Sequence, residues 1–231
     1  MSKVIHLQNL KFEYTSQQNI YPVLDIPELS FNKNETTFLF GPSGSGKTTL
    51  LEILAGVLKS QQGSVQILDQ DLQKLNSAER DLFRAQHIGY IFQQFNLVPY
   101  LTVEENILLP FVFNHKKNDE KLYQQILNEL GLSHLEQKLA SELSVGQQQR
   151  VAAARALISK PEIIFADEPT SALDYDHREN FLKILFSLVK QQQTTLIFVS
   201  HDRSIQDLFD RKLNLLDVNK VHLAVVQKHL N

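Results

Sequence analysis

One segment limits what this chain can become: Gly41-Pro42-Ser43-Gly44-Ser45-Gly46-Lys47-Thr48, where three of the eight glycines fall between positions 41 and 46. A short β-prone run, Thr36 to Phe40, leads into it, and Leu50, Leu51, Leu54 and Leu58 follow at helical spacing, predicting a helix over 48–58. Strand, glycine-rich loop and helix in that order satisfy the pattern G-x-x-x-x-G-K-[ST] in the context it requires. Glycine lets the backbone curl until successive N–H groups point inward at phosphate oxygens. The helix N-terminus near Lys47 adds partial positive charge. A glycine-rich turn with no ligand is the bland alternative. At background glycine usage, a chance match in such a chain is on the order of one in a hundred. The expectation is a bound phosphate chain, with Lys47 reaching its β- and γ-phosphates and the Thr48 hydroxyl on Mg²⁺.

The rest of the chain is built to hold such a loop. Val4 to Leu10 alternates apolar and polar residues; Ser64 to Leu68 and Ile88 to Phe92 are further strand candidates. From Gln93 to about Lys160 the character turns helical. One helix is expected over 119–130, stopped by Gly131, and a second, rich in Ala and Gln, over 145–158. Strand-like runs return at Ile163 to Ala166 and Thr195 to Val199, with a helix from about His177 to Lys190 between them. Near-continuous apolar strands alternating with helices imply an α/β fold with a largely parallel sheet covered on both faces. The Gln pairs and triplet (61–62, 124–125, 191–193) read as solvated faces.

Composition narrows the function. With 231 residues and no cysteine, a disulfide scaffold, a thiol nucleophile and a Cys-ligated metal are excluded. Lys+Arg is 23 against Asp+Glu 26, a net charge of −3, which argues against a nucleic-acid partner bound through clustered cations. No apolar run approaches the roughly 20 residues of a membrane span, and the start, Met1 to His6, lacks a signal-peptide core, so a soluble, cytosolic chain is expected.

A second chemical element is Pro161-Glu162-Ile163-Ile164-Phe165-Ala166-Asp167-Glu168-Pro169-Thr170, an apolar strand ending in two carboxylates. In parallel sheets ligands bind beyond the carboxyl ends of strands. Asp167 therefore suits Mg²⁺ or its waters, and Glu168 suits the water that attacks a γ-phosphate. Exposed acids after a core strand would be the usual reading of this pattern alone. A nucleotide loop, however, already needs a metal-holding acid on a strand end.

With these residues in view the chain resembles the ATP-binding cassette (ABC) ATPases over nearly its whole length. Leu143-Ser144-Val145-Gly146-Gln147 stands where that family carries its LSGGQ signature. Ser171-Ala172-Leu173-Asp174 resembles the D-loop, Ser200-His201-Asp202 the switch-histidine segment, Gln93 the Q-loop glutamine and Tyr14 the adenine-stacking aromatic. The resemblance implies a P-loop NTPase fold of the ABC type: a mostly parallel core (about 1–93 and 161–231), an N-terminal antiparallel β subdomain, and an inserted helical signature subdomain (about 94–160). It implies an ATPase using ATP and Mg²⁺. Gly41, Pro42, Ser43, Gly44, Ser45, Gly46, Lys47, Thr48 and Thr49 would hold the nucleotide, and Thr48, Gln93 and Asp167 the metal. Glu168, His201 and Lys47 would be catalytic. It also implies a head-to-tail dimer in which Ser144, Gly146 and Gln147 of one copy reach the ATP of the other, with Asp174 linking the two sites.

Val145 departs from the family pattern, replacing the first signature glycine. A β-branched residue disfavours positive φ, so ordinary backbone angles are expected there. Around Tyr14, Phe12 and Tyr21 are alternative stacking partners. At the Q-loop, Gln93 is favoured over Gln94 because it directly follows Phe92. His6, His87, His115, His134, His177, His222 and His229 lack such context and receive no role.

The run Phe92 to Phe113 is unusually apolar, with four of the chain's 14 Phe residues. Part must be core, but it exceeds what one short helix buries, so an exposed patch is expected, and such patches mark interfaces. Its wording, FQxFNLxPxLTxxENxxLP, resembles the lipoprotein-releasing and macrolide-exporter class. That class implies an FtsX-like integral membrane permease docked on residues 93–113 and a peripheral location on the cytoplasmic face of the inner membrane. The alternative is a soluble ABC ATPase acting on nucleic acid or the ribosome. Such proteins usually carry two cassettes, a coiled-coil or zinc insertion, or a basic face.

Overall fold

The computed structural model describes residues 2–16, 19–114 and 116–221, so His115, His222 and His229 lie outside the described residues. The chain forms two compact units. One holds the chain up to Arg80 and again from His201; the other is Asp81–Ser200.

The first unit opens with β1 (Lys3–Thr15) and β2 (Ile20–Asn32), then β3 (Thr36–Phe40), α1 (Lys47–Leu54), β4 (Gln62–Ile67) and β5 (Gln70–Asp71). Strands β2, β1, β4 and β5 lie side by side in that order as an antiparallel sheet. Its buried side includes Ile5, Leu7, Leu10, Leu24, Ile26, Phe31, Val65 and Ile67. β1 runs well past the alternating stretch Val4–Leu10, carried by its pairing with both β2 and β4. β2, which the sequence pattern does not announce, contains Pro22 and Pro27; proline is tolerated because this strand is the sheet's edge. α1 stops at Leu54, short of the expected 58, because Gly56 turns left-handed at φ +70°. α2 (Ser77–His87) crosses the boundary between the units. It is announced only weakly by the sequence, since Leu82 and Phe83 are its only large apolar residues. It starts at a reciprocal pair in which Glu79 N donates to Asn76 Oδ1 (3.0 Å) and Asn76 N to Glu79 Oε2 (2.8 Å).

The second unit holds β6 (Ile88–Ile91), α3 (Val103–Asn114), α4 (Glu120–Glu129), α5 (Val145–Leu157), β7 (Ile163–Asp167), α6 (Tyr175–Gln192) and β8 (Thr195–Val199). β6, β7 and β8 pair in parallel, and every residue of β7 and β8 is buried, as their unbroken apolar sequence requires. α5 packs so closely on β6 that a Cβ at Gly89 would sit 2.4 Å from the Ala156 carbonyl oxygen. Glycine at 89 and the small residues Ala152, Ala153, Ala154 and Ala156 are what allow that approach. α4 is capped by Asp119 and followed by Gly131 at φ +65°, the stop the sequence placed there. α6 is longer than expected at both ends. The chain then returns to the first unit with β9 (Arg211–Asn214), parallel to β3, and the short α7 (Leu215–Val218). Among the described residues no helix is long and apolar enough to cross a membrane.

Candidate nucleotide site

In the first unit the loop Gly41–Gly46 leaves β3 and feeds α1, as the spacing requires. Gly44 (φ +75°) and Gly46 (φ +96°) are left-handed. A Cβ at Gly46 would lie 2.9 Å from Leu24 Cδ2 and 3.1 Å from the Val23 carbonyl, so position 46 excludes larger residues on both conformation and space. Lys47 is buried and folds back over the loop, its Nζ donating to the carbonyls of Pro42 (2.9 Å) and Gly41 (3.0 Å). The cation is thereby held inside the concavity that phosphate oxygens would occupy. Ser45 Oγ is buried there with no hydrogen-bond partner among the described residues, a polar atom suited to an incoming acceptor. Pro42, Ser43, Gly44 and Thr48 are exposed, while Thr49 is buried behind them.

The aromatic alternatives separate by burial. Phe12 is only 6% exposed and packs edge-on against Tyr14 at 5.0 Å between ring centroids. Tyr14 (46% exposed) and Tyr21 (53%) face each other across the β1–β2 pair, so these two offer ring surface to a base. His201 is exposed, one residue past buried Ser200. The following Asp202 accepts from Ser204 N (2.9 Å) and Ser204 Oγ (2.6 Å), which fixes the turn after it.

The second unit holds the acids, the glutamine and the signature. Asp167 ends β7 and is buried, as is Glu168. Glu168 adopts φ +48°, a region non-glycine residues rarely enter. Its amide donates to Val199 O (3.0 Å), its carbonyl accepts from Ser171 N (3.1 Å), and the next carbonyl, Pro169 O, accepts from the buried Gln149 Nε2 of α5. Three contacts thus hold a strained turn at the carboxylate assigned the water. Gln149 is a supporting residue the sequence reading did not single out. Asp174 caps α6, accepting from His177 N (3.0 Å) and lying 2.7 Å from His177 Nδ1. The His177 N–H holds the Asp174 carboxyl below its ordinary value.

Ser144 is the N-cap of α5, and with Gln147 it forms a capping box: Ser144 N donates to Gln147 Oε1 (2.9 Å) and Gln147 N to Ser144 Oγ (3.4 Å). Val145 opens the helix without positive φ, as expected, and is exposed. Gly146 sits in the first turn, with Leu173 Cδ2 3.6 Å from where its Cβ would be.

Gln93 and Gln94 are both exposed in the turn after β6. Beyond them Phe95 (φ +57°) and Asn96 (φ +48°) are consecutive left-handed residues. One side chain holds both: Arg155 of α5 donates to Phe95 O and Asn96 O, each at 2.7 Å. Burial lowers the Arg155 guanidinium to about 10. A few residues on, buried Asn106 accepts from Val98 N (2.8 Å) and donates to the carbonyls of Val98, Thr102 and Leu101. The segment so pinned carries the apolar surface expected from its sequence: Tyr100 is 76% exposed, and Val112 and Phe113 on α3 are 66% and 58%. Val103 and Ile107 supply the core share. Arg155 has a signal in the sequence, a lone cation in an alanine run, but nothing there names its partner.

The family model described as ABC transporter matches residues 24–171. The chain is 40% identical to the bacitracin export ATP-binding protein BceA of Halalkalibacterium halodurans over 86% of this chain and 79% of that one. It is 38% identical to the lipoprotein-releasing system ATP-binding protein LolD of Psychrobacter arcticus, covering 93% and 96%. Among solved structures it superposes with TM-score 0.84 at 34% identity on a dimeric post-hydrolysis state of an ATP-binding cassette bound to ADP and Pi, covering 91% of this chain and 93% of the other. A phosphate loop, an acid-tipped strand and a capped signature helix, matched by a family model and by relatives of this identity, place the chain in the ABC transporter family as one of its ATP-binding, ATP-hydrolysing subunits.

Proposed function

We propose that this chain is the motor of a membrane transporter. Two copies associate head to tail, and each ATP, held on the phosphate loop of one copy, is closed over by the signature turn of the other. The observation that carries this is the N-terminus of α5. It is capped, it presents Ser144 and Val145 to solvent, and the partial positive charge of a helix N-terminus there suits an anion. The likeness to a dimeric cassette supports the same arrangement.

In this reading Tyr14 stacks on adenine, Gly41 to Thr49 cradle the phosphates, and Lys47 neutralises the β- and γ-oxygens. Glu168 accepts the proton of the attacking water, and His201 orients that water and the γ-phosphate. Asp174 links the two sites across the dimer. Mg²⁺, held by oxygen atoms of Thr48, Gln93 and Asp167, would supply charge neutralisation at the phosphates; hydroxyl, amide and carboxylate oxygens suit a hard cation that arrives with its substrate. Residues of about 1–93 and 161–231 act as the nucleotide core, of which 222–231 lie outside the described residues. Residues of about 94–160, which contain α3, α4 and α5, act as the signature subdomain.

The partner is an FtsX-like integral membrane permease received by residues 93–113, and this chain lies peripherally on the cytoplasmic face of the inner membrane. Support comes from exposed Tyr100, Val112 and Phe113 on a segment held by Arg155 and Asn106, and from relatives named for bacitracin export and lipoprotein release. Glu168→Gln tests the core of the proposal. With ATP and Mg²⁺ the variant should sediment as a dimer and hydrolyse at least ~100-fold more slowly than the wild type. Wild-type turnover, or a monomer in saturating ATP, would overturn it.

A further inference from the structure

We infer that Asn219 is a positioning residue of the ATP site: its side-chain amide ties the phosphate loop to β2, so the loop keeps its binding shape without nucleotide. The inference rests on the loop binding ATP and goes beyond it, to a residue 174 positions away from the loop in sequence.

Asn219 follows α7 and is 3% exposed. Its Nδ2 donates to Ser45 O (3.2 Å), inside the loop, and to Val23 O (2.8 Å), on β2. Its Oδ1 accepts from Asp25 N (2.9 Å) and from Val221 N (3.3 Å). An asparagine side chain has two donors and one oxygen with two lone pairs, so all its capacity is committed. Lys220 N donates to Asp25 O (2.8 Å), which holds the same stretch of backbone on β2. A simpler account makes Asn219 an ordinary turn residue, its oxygen bonded two residues on. That account uses Oδ1 alone and leaves both donors unexplained.

Two further observations converge on the same contact. The Val23 carbonyl that accepts from Asn219 is also the atom 3.1 Å from the Cβ position of Gly46, so loop and strand touch where the amide fastens them. Two residues before Val23 is Tyr21, paired with Tyr14. The strut therefore sets the spacing between the aromatic end of β2, where a base would stack, and the loop, where phosphates would sit. Apparent affinity falls in proportion to the fraction of molecules with the loop in its competent shape. Saturating ATP restores that shape, so loss of the strut should raise Kd and KM while sparing kcat.

Asn219→Asp is the discriminating variant. It keeps an oxygen for Asp25 N and Val221 N but turns a second oxygen toward two carbonyls that can only accept. With Mg·ATP and calorimetric titration, Kd should rise about tenfold, with kcat at saturation within about twofold of wild type. A Kd within twofold of wild type, or a loss of kcat with unchanged KM, overturns the inference. So does a lower melting temperature without change in Kd, the mark of a purely structural residue. If Asn219→Asp does not fold, Asn219→Ala is read by the same criteria. In the nucleotide-free wild type, the two Asn219 side-chain amide protons should exchange slowly by NMR, and fast exchange overturns the strut without any variant. A wild type that does not bind ATP overturns the ATP reading and the inference with it. Failure of the strut alone looks different: wild type and variant then bind equally.

Discussion

Arg155 offers a test in which two physical effects oppose each other. In Arg155→Met the buried stem is largely preserved, but two N–H···O contacts of 2.7 Å to Phe95 and Asn96 are lost. Hydrogen bonds from a charged donor are worth about 1.5–3 kcal/mol each. Against this stands the cost of burying a guanidinium, visible in its lowering to about 10. The two carbonyls it serves belong to left-handed residues, each strained by about 1–2 kcal/mol, so relaxation of the freed segment recovers part of the loss. A net destabilisation of about 2–3 kcal/mol is expected, measured by urea unfolding with linear extrapolation. Amide exchange should accelerate from Gln94 to Leu97, including the Asn96 N–H that bonds Gln94 O at 2.6 Å. Arg155→Lys should fall between, since one ammonium lacks the planar fork that serves two carbonyls at once. An Arg155→Met variant as stable as wild type would show that desolvation outweighs the two bonds, and the clamp would be refuted.

Three other outcomes follow from the geometry. Gly46→Ala, with φ +96° and its new methyl 2.9 Å from Leu24 Cδ2, should weaken ATP binding by at least about tenfold in a direct titration; unchanged affinity would mean the loop has room it does not show. Val145→Gly should leave ATP turnover within about twofold, since Val145 already sits at ordinary helical angles; a many-fold rise would mean that the natural valine handicaps the signature. The Asp174 carboxyl, followed by NMR, should titrate below its ordinary value of 3.8 because the His177 N–H favours the charged form. With a lowered folded value, this cap's contribution is complete above the ordinary carboxyl range and is lost as pH falls through the lowered value, and a midpoint at or above 3.8 would contradict it.

What could be read without coordinates followed from local chemistry. Gly41 to Thr48 and the apolar strand tipped by Asp167 are each specified within a few neighbours, and the loop leaves β3 for α1 and Asp167 ends β7 as those patterns imply. β7 and β8 were legible because full burial leaves an unbroken apolar run. β2 was not, because its prolines read as breakers until its place at the sheet edge is known. α2 was not, because its eleven residues carry only two large apolar side chains, Leu82 and Phe83, among charged ones. The supporting residues escaped for another reason. Gln149, Arg155, Asn106 and Asn219 act on backbone carbonyls and amides, and a backbone partner leaves no residue identity to recognise. Burial singled out Tyr14 and Tyr21 over Phe12, a choice that alternation along a strand could not make.

The edge strand β2 has a consequence for assembly. An open sheet edge is a template for a strand from another molecule, and proline removes the donors such pairing needs. With Pro22 and Pro27 in β2, and with Val23 O, Asp25 N and Asp25 O already bonded by Asn219 and Lys220, this edge is a poor substrate for intermolecular β-addition. For a chain proposed to meet its own copy and release it in each ATP cycle, this steers assembly away from a lasting strand pairing. The proposed dimer relies instead on a loop and a helix end, the phosphate loop and the N-terminus of α5, between which a nucleotide can be bound and released.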